Sequence, residues 1–491
     1  MITYDKNRGT WPVYSQASTT FHNLSRGPPM PVLRPIEWGS SVCAIPLVLL
    51  TSIALHAAEG PIANGDPASR IFSGNGVATW QATAAPAWRL PMRHPARATP
   101  IIVGDAVYTL DEPGTLICVD AADGTERWRR EVTAAALLAD DEAKELRTLL
   151  ASVTASWARG EDEGSAPAEV QKHREALWKD HGIAAIYQDR YRDYGYAGTD
   201  PLSDGEQIYV VNGTCVASAF DQSGKRRWMV RFTDRGKQKP TIRASQSVLI
   251  GDRLIIKVWP KGRTRNAAVS QLLALSTADG SELWRSAEFA CADHGEWGGQ
   301  AIATVGDRQL VVTPGGRVFD PADGRELING LGNCSYGMSP ATAGDVVVFS
   351  KSCVRLGFDS DGTLQASPAL QVKSFGHTPI IAHGRGYVVS PKGVHCFAID
   401  QLDGGKPAHH NWQAPGAWPR KLRLRSCTPS AVGDAGLMAF DATRLAAWTL
   451  GDKPKLLWVQ ELPTLNTCSA PVSDGERLIL RLRDALVAWK L

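Results

Sequence analysis

The stretch Val119–Val132 reads VDAADGTERWRREV. An acidic turn closes on Gly124, Trp128 follows four places on, and basic residues flank it. Asp-Gly is hairpin chemistry, because glycine takes the positive φ that a tight turn demands. The stretch is one beat of a repeat. Thr99–Trp128 runs proline, short apolar strand, Gly-Asp, a β-rich run, a third strand, then an acidic residue with glycine. The same frame returns at Pro201–Trp228, Ser247–Trp284, Ala301–Leu327, Ser339–Gln365, Thr378–Gly405, Thr428–Asp452 and Ala470–Leu491. The first turns of these copies fall near Gly104, Gly205, Gly251, Gly306, Gly344, Gly384, Gly433 and Gly475. Most intervals are about 40–50 residues, the length of a four-stranded propeller blade.

The copy at Ala470–Leu491 stops at its third strand. PAWRLPM (Pro86–Met92) resembles the fourth-strand pieces ERWRREV, RRWMVRF and ELWRSAEF, yet it precedes the first copy. If it pairs with the last copy, the ring closes and its open sheet edges disappear. The expected fold is therefore all-β: an eight-bladed β-propeller over residues 85–491, with an N-terminal strand closing the last blade. One insertion breaks the rhythm, over residues 133–196. Its first half places Leu146, Leu149, Leu150, Val153 and Trp157 on one helical face, and PAEVQKHREALWKDHG reads as a second helix. A helical hairpin leaving after blade 1 is expected, either as a lid or docking arm or as a decorated loop.

The 491 residues carry a net charge of only +3, which argues against a nucleic-acid partner. Tryptophan, at 16 residues against 11 Phe and 10 Tyr, is in excess and asks for an explanation from the fold. Residues 1–58 differ from the rest. Cys43–Leu55 (CAIPLVLLTSIAL) is uncharged, too short to span a bilayer, and suited to the apolar region of a secretory signal. Cleavage is expected near Ala58, and a start at Met30 gives the signal a flank of ordinary length with Arg34 as its positive charge. Residues 59–84 read as a linker. Loss of Cys43 with the signal leaves eight of the nine cysteines, an even number that permits disulfides in an exported chain. Cys427 and Cys468 precede the inner strands of neighbouring blades at matching places, where a bridge is geometrically open. Cys118, Cys215, Cys353 and Cys396 fall within strands as small buried residues.

These repeats resemble those of the quinoprotein-type propellers: the PQQ-dependent alcohol dehydrogenases and the PQQ-like repeat proteins that include BamB. The family's docking motif runs Ala-x-Asp-x-x-Thr-Gly-x-x-x-Trp. The positions that match it here are Asp120, Gly124 and Trp128; Gly224 and Trp228; Gly280 and Trp284; and Asp400 and Gly404. Trp458 and Trp88 serve the seventh and eighth blades, whereas Ile328 and Ala366 stand where the fourth and fifth copies lack the tryptophan. A tryptophan wedged between blades buries a large apolar area while its N–H finds a carbonyl, which would absorb part of the excess. The resemblance implies two functional classes. A PQQ-dependent dehydrogenase would use PQQ and calcium, an aspartate base and a disulfide of adjacent cysteines; no adjacent Cys-Cys pair exists in this sequence, and no calcium-ligand set is placed by motif.

The other class is a non-catalytic binding scaffold, and it is the expected one, with no cofactor, no catalytic residue and no metal. Loops that join one blade to the next carry function on a rigid frame. Here they gather His294, Glu296, Trp297, Tyr336, His377, Trp418 and Arg420, a composition suited to recognition. The expected partner is a protein or an extracytoplasmic small molecule or glycan. A periplasmic or secreted monomer is expected, touching the membrane only through its export signal.

Overall fold

The computed structural model describes residues 70–491 except 160, 162–164, 184–194, 233–246, 259–268, 291–297, 335–337, 351, 372–377, 391–392, 403–407, 412–427, 442, 463 and 466–468. The expected signal segment, the Met30 start and the cleavage point lie outside these residues. Among the described residues the strands sort into eight sheets, each the blade of one sequence copy and antiparallel apart from one strand added beside blade 7. Blade 1 shows the pattern: Ile101–Val103 is innermost, followed outward by Ala106–Asp111, Thr115–Asp120 and Glu126–Glu131. Its two middle strands are buried almost throughout, since each blade is covered on both faces by its neighbours.

Blade 8 takes Val472–Ser473, Arg477–Arg481 and Ala485–Lys490 from one part of the chain and Trp88–Pro91 from another. Trp88 pairs with Ala488 and Pro91 with Ala485, antiparallel, so the ring is closed by the strand that precedes blade 1. Proline is tolerated there because this strand is outermost and needs no further ladder bond.

The tryptophans sit in the seams. The Trp88 ring lies against Gly124 of blade 1, Trp128 against Gly224 of blade 2, Trp228 against Gly280 of blade 3, and Trp284 against Gly324 of blade 4. A Cβ on these glycines would stand 2.4–2.7 Å from the ring. Gly124 has φ +74, so the same residue solves the turn and clears the space. Each indole N–H donates to a carbonyl of the next blade's turn: Ala121 at 2.9 Å, Gln222 at 2.9 Å, Thr277 at 2.7 Å and Pro321 at 2.9 Å. Gly362 of blade 5 has the same φ of +74 but nothing within 4 Å of a Cβ, because Ile328 stands at the tryptophan position. Asp120 accepts from the Ala122 N–H at 2.8 Å and fixes its turn, while Asp400 is exposed and Gly404 lies outside the described residues.

Residues 70–84, expected as part of a linker, are built into the ring. Ile71–Phe72 pairs in parallel with Ser430–Val432, the innermost strand of blade 7. The Arg70 and Phe72 carbonyls accept from Ala431 and Gly433 N–H at 2.8 and 2.9 Å. Beyond, Val77 accepts the Trp458 indole N–H at 2.8 Å, which is how blade 7's tryptophan is satisfied. Trp80 packs between Trp458 and Trp489 with centroids at 5.3 and 5.6 Å. A two-residue strand carries no periodicity, so the linker reading had no signal to contradict it.

The insertion is a helical hairpin. After a short 3-10 turn (Ala134–Leu137), α1 (Asp140–Ala158) and α2 (Ala168–Lys179) pack together. Leu146, Leu149, Leu150, Val153 and Trp157 of α1 are all buried, in one cluster with Val170, Leu177 and Val216 of blade 2, and Met229 packs against it. Cys118, Cys353 and Cys396 are free and buried, and Cys215 and Cys334 are buried; Cys427 and Cys468 lie outside the described residues. Among the described residues no helix is long and apolar enough to cross a membrane.

Candidate functional site: the loop-bearing face

In this topology the entry to every inner strand and the hairpin between second and third strands lie on one face. A belt of hydrogen bonds joins these entries. The Ala470 N–H of blade 8 donates to Thr99 Oγ1 of blade 1 at 3.1 Å, and the Thr99 N–H donates to Asp200 Oδ1 of blade 2 at 2.6 Å. On the other side, the Gly299 N–H of blade 4 donates to Ser339 Oγ of blade 5 at 2.9 Å, and the Ser339 N–H to Thr378 Oγ1 of blade 6 at 3.3 Å. Each acceptor immediately precedes a proline: Pro100, Pro201, Pro340 or Pro379. Proline holds the residue before it extended, which fixes where that short polar side chain points.

Charge is buried under this face. The Arg70 guanidinium meets Asp200 at 3.3 Å with side-chain exposures of 1% and 4%, tying the strand beside blade 7 to blade 2 across the ring. Burial pushes the Asp200 carboxyl up, against the opposing pull of Arg70 and the Thr99 N–H. At the seam of blades 8 and 1, Arg481 Nη2 donates to the His94 carbonyl at 2.7 Å and lies 3.4 Å from Asp111 Oδ1. Burial pulls the Arg481 guanidinium down to about 10, so it stays charged at neutral pH. Asp111 also accepts the Arg93 and His94 N–H groups at 3.0 and 3.1 Å. Beside it, Glu112 is fully buried and accepts the Tyr196 and Ala197 N–H groups at 2.8 and 2.9 Å, holding the return of the insertion. Desolvation pushes its carboxyl up to about 8 despite those two bonds, with the Asp111 charge adding to the rise. At the seam of blades 3 and 4, Lys257 Nζ donates to the Gly298 carbonyl at 2.8 Å.

The expected recognition residues His294, Glu296, Trp297, Tyr336, His377, Trp418 and Arg420 lie outside the described residues. Asp111, Glu112, Asp200 and Arg481 were not among the residues singled out from the sequence. Their signal was the small polar or acidic residue before each inner-strand proline and the Asp-Glu-Pro-Gly run at the blade 1 hairpin.

Calcium would need several oxygen ligands converging on one point. The buried carboxylates do not supply that. Asp111 is committed to backbone N–H groups and Arg481, Asp200 to Thr99 and Arg70, and Glu112 to the Tyr196 and Ala197 N–H groups. Among the described residues no three His, Cys, Asp or Glu side chains assemble as a metal group. These residues therefore do not fit the calcium that the dehydrogenase resemblance implies.

No curated protein matches the sequence. Solved structures with a related shape include BamB from Moraxella catarrhalis, at 12% identity and TM-score 0.48, covering 83% of this chain and 99% of that one. The quinohemoprotein alcohol dehydrogenases of Comamonas testosteroni and Pseudomonas putida HK5 are each 12% identical, with TM-scores of 0.45 and 0.42, covering 86% of this chain and 78% of theirs. The profile of the family described as outer membrane protein assembly factor BamB matches residues 52–161 and 168–330, more than half of the chain. Blade architecture, seam tryptophans and this match agree, and the chain belongs to the PQQ-like repeat propellers of that family.

Proposed function

We propose that this chain is an exported, non-catalytic binding platform that takes a protein, or an extracytoplasmic small molecule or glycan, on its loop-bearing face. It works as a monomer in the periplasm or outside the cell, without PQQ or calcium. One observation carries the reading: what recurs from blade to blade is consumed by the ring itself. The indoles fill seams and the hydroxyls of the belt hold neighbouring backbones; the buried carboxylates of blades 1 and 2, though not repeated, are likewise taken up by N–H groups and arginines. What differs from blade to blade is the set of inter-blade loops, which carry His294, Glu296, Trp297, Tyr336, His377, Trp418 and Arg420. Membership of a family described by outer membrane protein assembly supports a protein partner in the envelope.

The test places a photo-crosslinker at Lys144, exposed on α1 of the insertion, and at Asp323, exposed in a turn on the opposite face. A discrete adduct in cells from Lys144 and none from Asp323 is expected. Equal adducts from both positions would count against the assigned face. Quinone absorbance changes with PQQ and calcium, together with dye-linked alcohol oxidation, would overturn the non-catalytic reading.

A further inference from the structure

Blade 5 keeps a receptor for an indole that its own neighbour does not supply. Its turn Asp359–Thr363 repeats the blade 2 turn Asp221–Lys225 bond for bond. In blade 2 the Asp221 N–H donates to the Lys225 carbonyl at 3.0 Å, the Gly224 N–H to the Asp221 carbonyl at 2.9 Å, and the Lys225 N–H to Asp221 Oδ1 at 3.0 Å. In blade 5 the Asp359 N–H donates to the Thr363 carbonyl at 3.0 Å, the Gly362 N–H to the Asp359 carbonyl at 3.0 Å, and the Thr363 N–H to Asp359 Oδ1 at 2.9 Å. Gly224 has φ +80 and Gly362 +74. A phenylalanine precedes the aspartate in both, Phe220 and Phe358.

The two turns differ in what covers them. In blade 2 the Trp128 ring lies over Gly224, stands 6.5 Å from the Phe220 ring centre to centre, and donates its N–H to the Gln222 carbonyl at 2.9 Å. In blade 5 the space over Gly362 is open: no atom lies within 4 Å of where a Cβ would stand. Gly362 is exposed, whereas Gly224, Gly280 and Gly324 are buried under their indoles. Ser360, also exposed, stands at the place of Gln222, and no donor among the described residues reaches its carbonyl. The Phe358 ring is met by the Arg308 guanidinium at 4.3 Å, on a side chain that is 42% exposed and paired with Asp320. A planar guanidinium at the surface can take an aromatic face on its free side. The outer strand that follows the turn, Leu364–Gln371 (LQASPALQ), bears no charge, whereas Glu126–Glu131 (ERWRRE) of blade 1 is charged at every position but its tryptophan. Charges on an outer strand keep other chains away, and here that guard is missing.

We propose that the open position over Gly362 is the docking site for a tryptophan exposed on a partner protein. That side chain enters the seam of blades 4 and 5 as the chain's own indoles enter the four filled seams, with its N–H on the Ser360 carbonyl. The chemistry of the occupant is read from those filled seams. The turn lies on the face away from the inter-blade loops, so the inference does not rest on how the loop-bearing face is used. Asp323 marks the preceding seam, which Trp284 fills.

The experiment titrates the full chain with N-acetyltryptophanamide and follows saturation-transfer NMR from the protein to the indole protons of the probe. Saturable transfer is expected. Ile328→Trp supplies the indole from within and should abolish it. Gly362→Asn keeps the positive φ, which asparagine tolerates, but places a side chain where the ring would lie, and should also abolish it. A probe methylated on its indole nitrogen cannot donate and should bind about tenfold more weakly. Circular dichroism verifies the fold of each variant; if one fails to fold, the other decides. No saturable transfer from the wild type, undiminished transfer in either folded variant, or equal binding of the methylated probe would each overturn the proposal.

Discussion

Glu112 shows what one side chain can impose. Its carboxyl is raised from an ordinary 4.5 to about 8 by burial, so the folded state holds a proton that the unfolded state releases. Below about pH 4.5 both states are protonated and the residue contributes no pH dependence. Between pH 4.5 and 8 the unfolded state ionises first, and stability falls as pH rises. Above 8 the cost is constant. Glu112→Gln should flatten that slope, read as thermal midpoint against pH, and gain relative to the wild type at pH 8–9. The sequence did not reveal this. A glutamate beside a proline and a glycine reads as a solvated turn, and only the insertion returning over it removes the water. The docking residues were legible, because both ends of each contact, a glycine and a tryptophan, belong to the same motif.

Between blades, the seams are not equal. Four glycines receive an indole, and Gly362 keeps the same turn with nothing above it. Ile328, half-buried, is too short to reach across. Ile328→Trp should fill that space, supply an N–H to the blade 5 turn, and stabilise the protein by roughly 1 kcal/mol, measured by denaturant unfolding. No gain, or a loss, would mean that the seam has relaxed around isoleucine. The unequal spacing of tryptophans was visible in the sequence. That the receiving turn survives without its tryptophan was not, since Asp-Gly alone does not tell a filled seam from an open one. The hairpin was legible for the opposite reason: five apolar residues at helical spacing in α1 all found the cluster on blade 2. The recognition residues could not be judged this way, because loop sequence has no period against which to read placement.

The whole ring depends on the segment before blade 1. Arg70 of that segment and Asp200 of blade 2 form a buried ion pair, and removing one partner of such a pair leaves an uncompensated charge. Arg70→Ala should cost about 3 kcal/mol in denaturant unfolding, and Arg70→Met with Asp200→Asn should recover most of it. If the double variant is no better than the single, the pair is not what the cost reports. The sequence could place the closing strand at Trp88–Pro91 because it looks like other outer strands; Arg70–Ala84 looks like nothing else in the chain. The closure also has a consequence for biogenesis. Trp88–Pro91 leaves the ribosome long before Ala485–Lys490, the strand it must pair with. Until then blade 8 does not exist, and the early strand waits as an unpaired edge, with Pro91 and Arg89 discouraging other chains from adding to it. The circle can therefore be completed only after synthesis has passed Ala488, the partner of Trp88.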